Sequence, residues 1–398
     1  MTKLAARVAS VAGSRTSGAR NKARLLSAQG RNVVNFAAGE LASLPPTGVL
    51  AATSEALSHA TNRYTDTAGI PALRDAIAAR MSVETGTLVD SDRIVVTNGA
   101  KYGLYLTVLA VVEQGDEVLV PAPYWGSLVS QVLLAGGRPV AVDTTENDFR
   151  LTRELLERHA TDRTKAILVN TPNNPTGAVY PAEDLREIAD WAAERDVWLV
   201  SDECYSSLVH PPARHVSLLS VAPHVQERLV TVNSFSKSFA VTGWRIGYVH
   251  AAPAVVDAMK KMQSHTTSHA SSVVQHGLVS AAAGAEDAFR ADVLVTLARS
   301  RSLVADRLGR IPHLRFRFPD GAFYFFVDCR DALGRSHQGR RITDADVLAD
   351  MLLEHAAVAV VPGSAFGLDG FFRLSYAIDE KDILLGLDRL EGFFADVR

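Results

Sequence analysis

The sequence predicts an α/β protein with a large domain built on a mostly parallel central sheet and a smaller α+β domain at the C-terminal end. Short runs rich in valine and leucine, such as DEVLVPAP, KAILVNTP and DVWLVSDE, alternate with helical stretches, which is typical of parallel strands covered by helices. The pattern changes near residue 285, where long helices enclose LRFRFPDGAFYFFVDCR, a stretch typical of antiparallel strands. The chain has 398 residues, more than one core usually accommodates, so two domains are expected.

The N-terminal elements begin with a basic helical arm over residues 4–31 that ends near Gly30. RNVVNFAAGE then predicts a short strand that runs into a glycine turn. PALRDAIAARMSVETG has helical periodicity and a glycine stop. DRIVVTNGA predicts a strand that breaks at Asn98-Gly99, and KYGLYLTVLAVVEQG predicts a buried helix because it is apolar on most faces.

The later elements continue the alternation through RPVAVDT, PAEDLREIADWAAERD, RLVTVNSFS and RIGYVHA. We place the domain boundaries accordingly. Residues 1–45 form an arm and part of the small domain, residues 46–287 form the large domain, and residues 288–398 form the small domain.

Composition narrows the class of protein. A hydrophobic content of 47%, a charged content of 21% and a net charge of −3 are ordinary for a globular protein and give no reason to expect nucleic-acid or membrane binding. The two cysteines form no disulfide framework, which fits a reducing compartment such as the cytoplasm. The first acidic residue is Glu40, so the basic N-terminus can be read either as an arm of the mature protein or as an organellar transit peptide.

A glycine separates a predicted strand from a predicted helix in TNGAKYGLY. Gly99 therefore leaves backbone N–H groups free at the positive end of a helix dipole, which is an arrangement that binds phosphate. Strand-glycine-helix turns are common, so this feature alone decides nothing.

Other polar groups follow predicted strands, where ligands bind in open α/β sheets. Asp202 and Tyr205 follow VWLV, and NTPNNPTGAVY predicts a tight turn that carries Asn174. Each of these observations alone has a structural alternative. Asp202 could be the N-cap of a helix, and the asparagines could only form hydrogen bonds with the backbone of the turn.

Three cations lie in runs that otherwise look buried. Lys237 sits among serines in NSFSKSFAVTGWRIGY with Arg245 beyond it, and Arg373 lies in GFFRLSYA. Because an unpaired buried charge is costly, we expect each to meet an anion or a covalent partner, and we expect a buried anionic partner for Arg373. A lysine in a polar pocket can form a Schiff base. Solvated side chains remain the alternative for all three.

Taken together in order, the segments VTNGAKYGLY, PAPYWGSL, NTPNNPTG, SDECY, NSFSKSFAVTGWRIGY, VAVVPGSAFG and FFRLSYA resemble the fold-type I aminotransferases that use pyridoxal 5′-phosphate (PLP). The match is closest to the bacterial aspartate aminotransferase-like subgroup, and it runs from about residue 4 to the C-terminus. The resemblance implies the fold-type I architecture and a PLP-binding large domain.

The resemblance also implies roles for individual residues. Lys237 would be the Schiff-base lysine and proton shuttle, Asp202 would pair with the pyridine nitrogen, and Tyr205 and Asn174 would bond the ring hydroxyl. Trp125 would stack on the ring. The implied phosphate contacts are Gly99, Ala100, Lys101, Ser234, Ser236 and Arg245, together with Tyr64 of a neighbouring subunit in a homodimer with shared sites.

For the substrate, the resemblance implies that Arg373 clamps the α-carboxylate beside Gly39, near Trp125 and Asn174. In this subgroup the side chain of Lys101 can meet the distal carboxylate of an acidic substrate. The expected reaction is amino-group transfer between an amino acid, such as aspartate or glutamate, and a 2-oxo acid with ping-pong kinetics.

Three departures put the substrate in doubt. GELASLPP replaces the usual GEPDF segment, Gly126 and Leu128 alter PYWVSY, and His269 with Ala270 replaces an Asn-Pro pair. Because of these departures, three other reactions on the same fold remain alternatives to amino-group transfer: elimination, γ-replacement and carbon–carbon bond formation. His265 and His269 have a spacing that could bind a metal on a helix, but no third ligand is evident and we expect no metal.

Overall fold

The computed structural model describes residues 4–59 and 61–398, so residues 1–3 of the predicted N-terminal segment 1–45 lie outside the described part. The helices, in chain order, are α1 (Ala6–Ala9), α2 (Arg15–Ala28), α3 (Thr47–Ser58), α4 (Pro71–Thr85), α5 (Ala100–Val111), α6 (Gly126–Leu134), α7 (Arg153–His159), α8 (Ala182–Glu194), α9 (Leu218–Val221), α10 (Phe235–Ser238), α11 (Pro253–Ser264), α12 (Ser272–Ala282), α13 (Asp287–Leu308), α14 (Ala345–His355) and α15 (Glu380–Ala395). Over these ranges, no helix is long and apolar enough to cross a membrane.

The strands, in chain order, are β1 (Val34–Asn35), β2 (Ile94–Thr97), β3 (Glu117–Ala122), β4 (Arg138–Asp143), β5 (Thr164–Asn170), β6 (Trp198–Asp202), β7 (Leu229–Ser234), β8 (Gly247–His250), β9 (Arg315–Phe316), β10 (Tyr324–Asp328), β11 (Ser336–His337), β12 (Arg340–Arg341), β13 (Val358–Ala359), β14 (Val361–Pro362) and β15 (Phe371–Ser375).

The large sheet has seven strands in the order β2-β8-β7-β6-β5-β3-β4. All neighbouring pairs are parallel except those that involve β8, which runs antiparallel to both β2 and β7. The strands β2, β3 and β5–β7 are buried nearly throughout, so they read as continuous apolar runs because helices cover both faces of the sheet. The predicted mostly parallel α/β sheet is confirmed.

A second sheet of four antiparallel strands, in the order β14-β15-β10-β9, lies in the C-terminal part of the chain. It carries the aromatic run that predicted antiparallel strands, with Phe326 opposite Arg373 in the register of β10 and β15. The long helices α13 and α15 contact each other in the same region. The N-terminal strand β1 pairs with β13, so the start of the chain joins this C-terminal part.

Helix α2 rests on the same C-terminal part. Its Arg15 and Lys22 pair with Asp346 and Asp350 of α14. Helix α4 ends where the glycine stop predicted it, because Gly86 adopts the left-handed conformation at φ 68°. Helix α3 was not predicted.

Candidate active site

Three neighbouring strands of the large sheet end in polar residues at one edge. Asn170, Asp202 and Ser234 close β5, β6 and β7, and Asn170 lies directly opposite Asp202 in the strand register. Because the carboxyl ends of parallel strands meet at the same edge, these side chains converge. A cavity of about 520 Å³ opens there, and Arg373 of β15 reaches it from the other sheet.

Asp202 lies deep in this cavity with 6% of its surface exposed. Its Oδ1 atom accepts a hydrogen bond of 3.2 Å from the backbone N–H of Cys204. Burial raises the pKa of its carboxyl, because the charged form loses hydration. A cationic partner from the cavity would therefore stabilise the carboxylate strongly.

Lys237 lies in the short helix α10, directly after β7. The Ser234 hydroxyl caps that helix by accepting a hydrogen bond of 3.0 Å from Ser236 N–H. The Lys237 amine donates to the carbonyl of Gly39 and lies 5.8 Å from the ring centroid of Tyr205. Burial, with smaller effects from Arg373 and Arg245, lowers its pKa from 10.5 to about 8, so a useful fraction is an uncharged nucleophile near neutral pH.

The N-terminus of α5 forms the anion-binding side of the cavity. Gly99 precedes the helix at φ 78° and provides no side-chain cap, so the first N–H groups of α5 remain available. A Cβ at Gly99 would lie 2.5 Å from Nη2 of Arg245, so a side chain at this position would displace the guanidinium from the turn. Arg245 also donates a hydrogen bond of 2.9 Å to Thr242 O.

Arg245 is exposed, although the run around it in the sequence is apolar. The residue adopts a left-handed conformation at φ 55°, and its side chain is exposed at the cavity. The turn between α10 and β8 lifts it out of the apolar run that surrounds it in the sequence. It therefore meets solvent or a ligand without the cost of a buried charge.

Arg373 is 3% exposed, as expected. No acidic side chain of the described residues pairs with it, so the anion expected beside it stays a prediction. Its Nη1 and Nη2 atoms donate to neutral oxygens, Asn174 Oδ1 at 2.9 Å and Ala37 O at 3.1 Å. Its Nε atom has no partner among the described residues. The guanidinium lies 4.2 Å from the ring centroid of Tyr324. These contacts fix the group without neutralising it, so its charge can attract an anion from the cavity.

Two residues that the sequence analysis missed hold the site together. Asn170 accepts from Asn174 N–H at 2.8 Å and donates to Asp202 O at 3.0 Å, which joins the turn to the strand end. The Tyr324 hydroxyl lies 3.0 Å from that of Tyr205. The position of Asn170 at a strand end was a usable signal, whereas nothing in the apolar run around Tyr324 distinguishes it.

The cavity gathers most of the predicted site residues. Those that line it are Gly39, Ala100, Lys101, Trp125, Asn174, Asp202, Tyr205, Ser234, Ser236, Lys237, Arg245 and Arg373. Lys101 Nζ lies 4.7 Å from the Trp125 ring centroid, and its pKa is lowered by burial and by Arg245 and Arg20. The basic side chain of Arg20 also lines the cavity and was not predicted.

Tyr64 does not line the cavity of its own chain. It is 90% exposed, and its ring packs edge-on against His269 at a centroid distance of 5.7 Å. Helix α11 ends at Ser264, so His265 and His269 do not share a helix face as the metal spacing required.

The family model for aminotransferases of class I and II matches residues 31–390. An aspartate aminotransferase of Streptomyces avermitilis is 39% identical over 398 residues, which is all of this chain and 97% of that one.

Solved structures agree with these matches. The aspartate aminotransferase of Rhizobium meliloti superposes with a TM-score of 0.96 at 37% identity over the full length of both chains. That of Thermus thermophilus with maleate superposes with a TM-score of 0.93 at 38% identity, covering 99% of this chain and 100% of the other.

Proposed function

The chain belongs to the class I and II aminotransferases, and we propose that its cofactor is PLP bound in the cavity around Lys237. It is an enzyme that transfers an amino group between an amino acid and a 2-oxo acid. The observation that carries the cofactor proposal is the meeting of Lys237, Asp202 and Arg373 in one cavity with the N-terminus of α5.

The chemistry of the donor set fits PLP. The phosphate would bind at Ala100 and Lys101 N–H with Ser234, Ser236 and Arg245, where a Cβ on Gly99 would collide with the guanidinium. Asp202 would hold the protonated ring nitrogen, which supplies the cationic partner that its buried carboxyl needs. Trp125 would contact the ring face, and Tyr205 and Asn174 would bond the ring hydroxyl.

When bound, PLP supplies an aldehyde that condenses with amines and an electron-withdrawing ring that stabilises negative charge at the amino acid Cα. Lys237 then performs two tasks with one amine. With a pKa of about 8 it is uncharged often enough to act as a nucleophile, and it can accept and return the proton at the substrate Cα. Asp202 would hold the protonated ring nitrogen as its charge partner.

Arg373 would bind the α-carboxylate of the amino acid. Its guanidinium is already oriented by Asn174 and Ala37 O, so little side-chain entropy is lost on binding. The Gly39 backbone lies beside Lys237 at the same place. Together these contacts would align the Cα–H bond with the lysine amine.

We infer that the amino acids are dicarboxylic, such as aspartate or glutamate. After Arg373 and Arg245 are assigned to the α-carboxylate and the phosphate, Lys101 remains as a cation for a distal carboxylate. The Thermus relative was solved with maleate, which is itself a dicarboxylate. The full-length relatives are named aspartate aminotransferases, which does not favour elimination, γ-replacement or carbon–carbon bond formation.

We also propose a cytoplasmic homodimer with shared sites. Tyr64 is exposed and lies outside its own cavity, which suits a residue that completes the phosphate site of a partner. The cytoplasmic assignment is supported by two buried cysteines that form no disulfide.

The test is a half-reaction with the PLP-loaded enzyme and a panel of amino acids, followed by absorbance. We expect aspartate or glutamate to convert the bound cofactor to its amino form, and a 2-oxo acid to restore it. Product release from an amino acid with a leaving group, without any need for a 2-oxo acid, would contradict the proposal and indicate the alternative chemistries.

A further inference from the structure

The cavity carries more positive charge than the cofactor and one carboxylate require. Arg20, Lys101, Lys237, Arg245 and Arg373 line it, against the acids Glu40 and Asp202. Within residues 4–59 and 61–398, none of these five cations forms an ion pair with an acidic side chain. The surplus indicates that this cavity binds more than one anionic group.

Two basic residues of the cavity remain once the phosphate, the α-carboxylate and the aldehyde are assigned. Arg245 serves the phosphate, Arg373 serves the α-carboxylate, and Lys237 serves the aldehyde in the proposed function. Lys101 and Arg20 remain, and the pKa of Lys101 is lowered by burial and then by Arg245 and Arg20. Lys101 and Arg20 therefore lie close enough to repel each other, and an anion between them would relieve that repulsion.

The helix α2 fixes the direction of Arg20. Arg15 and Lys22 are seven residues apart and so share a face, which is anchored to Asp346 and Asp350 of α14. Because an α-helix turns by about 100° per residue, Arg20 points away from that face. Arg15 and Lys22 hold helix α2 on the C-terminal part of the chain, and Arg20 faces the cavity.

We propose that Arg20 is a specificity-determining residue that binds, together with Lys101, the distal carboxylate of a dicarboxylic amino acid. This inference rests on the proposed function and adds a residue from the N-terminal helix to it. A guanidinium can bind a carboxylate through two parallel hydrogen bonds, whereas the ammonium of Lys101 acts as a point charge. Arg20 would thus set both the presence and the orientation of the second carboxylate.

The test compares full-length Arg20→Gln with Arg24→Gln in steady-state kinetics on aspartate, glutamate and alanine. Arg24 is the matched control because it is exposed on the same helix and does not line the cavity. We expect Arg20→Gln to lower kcat/KM for the dicarboxylic substrates by roughly 10- to 100-fold, mainly through KM, the effect of losing a charge-assisted hydrogen bond. Alanine kinetics should not change, and Arg20→Lys should recover part of the loss.

Two results would overturn the assignment. One is an equal loss for aspartate and alanine in Arg20→Gln, which would make Arg20 a structural residue. The other is dicarboxylate kinetics that match those of Arg24→Gln. A wild-type enzyme that prefers alanine to aspartate would instead contradict the dicarboxylic proposal itself, so the two failures are distinguishable.

Discussion

Lys237 shows how position gives a common side chain uncommon chemistry. It follows a buried strand, its helix is capped by Ser234, and its amine is held against the Gly39 carbonyl. Burial lowers its pKa to about 8, so the residue trades folding stability for a reactive amine.

The lowered pKa of Lys237 predicts that, without cofactor, the difference in stability between the wild type and Lys237→Met depends on pH. Well below pH 8 the Lys237 amine is protonated in both the folded and the unfolded state, so the full free-energy cost of the buried charge destabilises the folded state. Between pH 8 and 10.5 the folded state releases its proton first, so the free energy of unfolding rises with pH. Lys237→Met should be more stable than the wild type near pH 7 by at most about 3 kcal/mol, and the advantage should shrink over that window.

Denaturant unfolding at several pH values measures this difference. Lys260→Met, which removes a lysine from the surface of α11, is the matched control. An advantage of Lys237→Met that stays constant between pH 7 and 10.5 would show that the pKa of Lys237 is not lowered.

At the residue scale, polar side chains at strand ends were predictable because the chain places Asp202 and Ser234 directly after apolar runs. The burial of Arg373 was predictable from the apolar run around it. Its hydrogen-bond partners were not, because the neutral oxygens of Asn174 and Ala37 come from distant segments of the chain. Arg20 could not be told apart in the sequence from the other basic residues of the arm; its place in the cavity lining and the pairing of Arg15 and Lys22 with α14 distinguish it.

At the scale of elements, the N-terminus of α5 and the turn before it act as one anion-binding unit. The unit depends on the absence of a side chain at Gly99, where a Cβ would press on Nη2 of Arg245 at 2.5 Å. The backbone there also adopts φ 78°, which a residue with a Cβ rarely adopts.

We therefore expect Gly99→Ala to weaken PLP binding by about tenfold or more, because displaced Arg245 loses a charge-assisted contact to the phosphate. Gly86→Ala is the matched control, since φ is 68° and a Cβ would meet nothing within 4 Å. The measurement is the cofactor dissociation constant by fluorescence titration. Equal changes of the dissociation constant in Gly99→Ala and Gly86→Ala would show that backbone strain, and not displacement of Arg245, weakens PLP binding.

Elements with strong periodicity were predictable, including α4 with its Gly86 stop, α5 and the central strands. Helix α3 was missed because its sequence lacks a capping side chain at Pro46 and follows an unusual proline-rich segment. His265 and His269 do not share a helix face, because α11 ends at Ser264, one residue before His265.

At the scale of the whole molecule, the site joins two sheets and the N-terminal helix. The large sheet supplies Asp202, helix α10 directly after β7 supplies Lys237, the C-terminal sheet supplies Arg373, and α2 supplies Arg20. The sequence predicted the two kinds of sheet from their patterns, whereas the pairing of β1 with β13 is a long-range contact that no local pattern encodes. The domain boundaries at residues 45 and 287 stay a prediction.

The proposed shared site predicts complementation between two defective subunits. A hybrid dimer of one Lys237→Ala chain and one Tyr64→Ala chain would contain one intact site, built from Lys237 of one chain and Tyr64 of the other. We expect about half of the wild-type activity with normal cofactor affinity, because one of the two sites of a two-fold symmetric dimer is then intact. Activity no higher than that of the Tyr64→Ala homodimer would show that Tyr64 acts within its own chain.

The proposed chemistry depends most on the identity of the amine that binds the cofactor. The direct measurement is borohydride reduction of the PLP-loaded protein, followed by proteolysis and mass spectrometry to locate the phosphopyridoxyl group. We predict a single label on Lys237, which is lost in Lys237→Ala while Lys101→Ala keeps it. A label on another lysine, or no label in a folded protein saturated with PLP, would contradict the account.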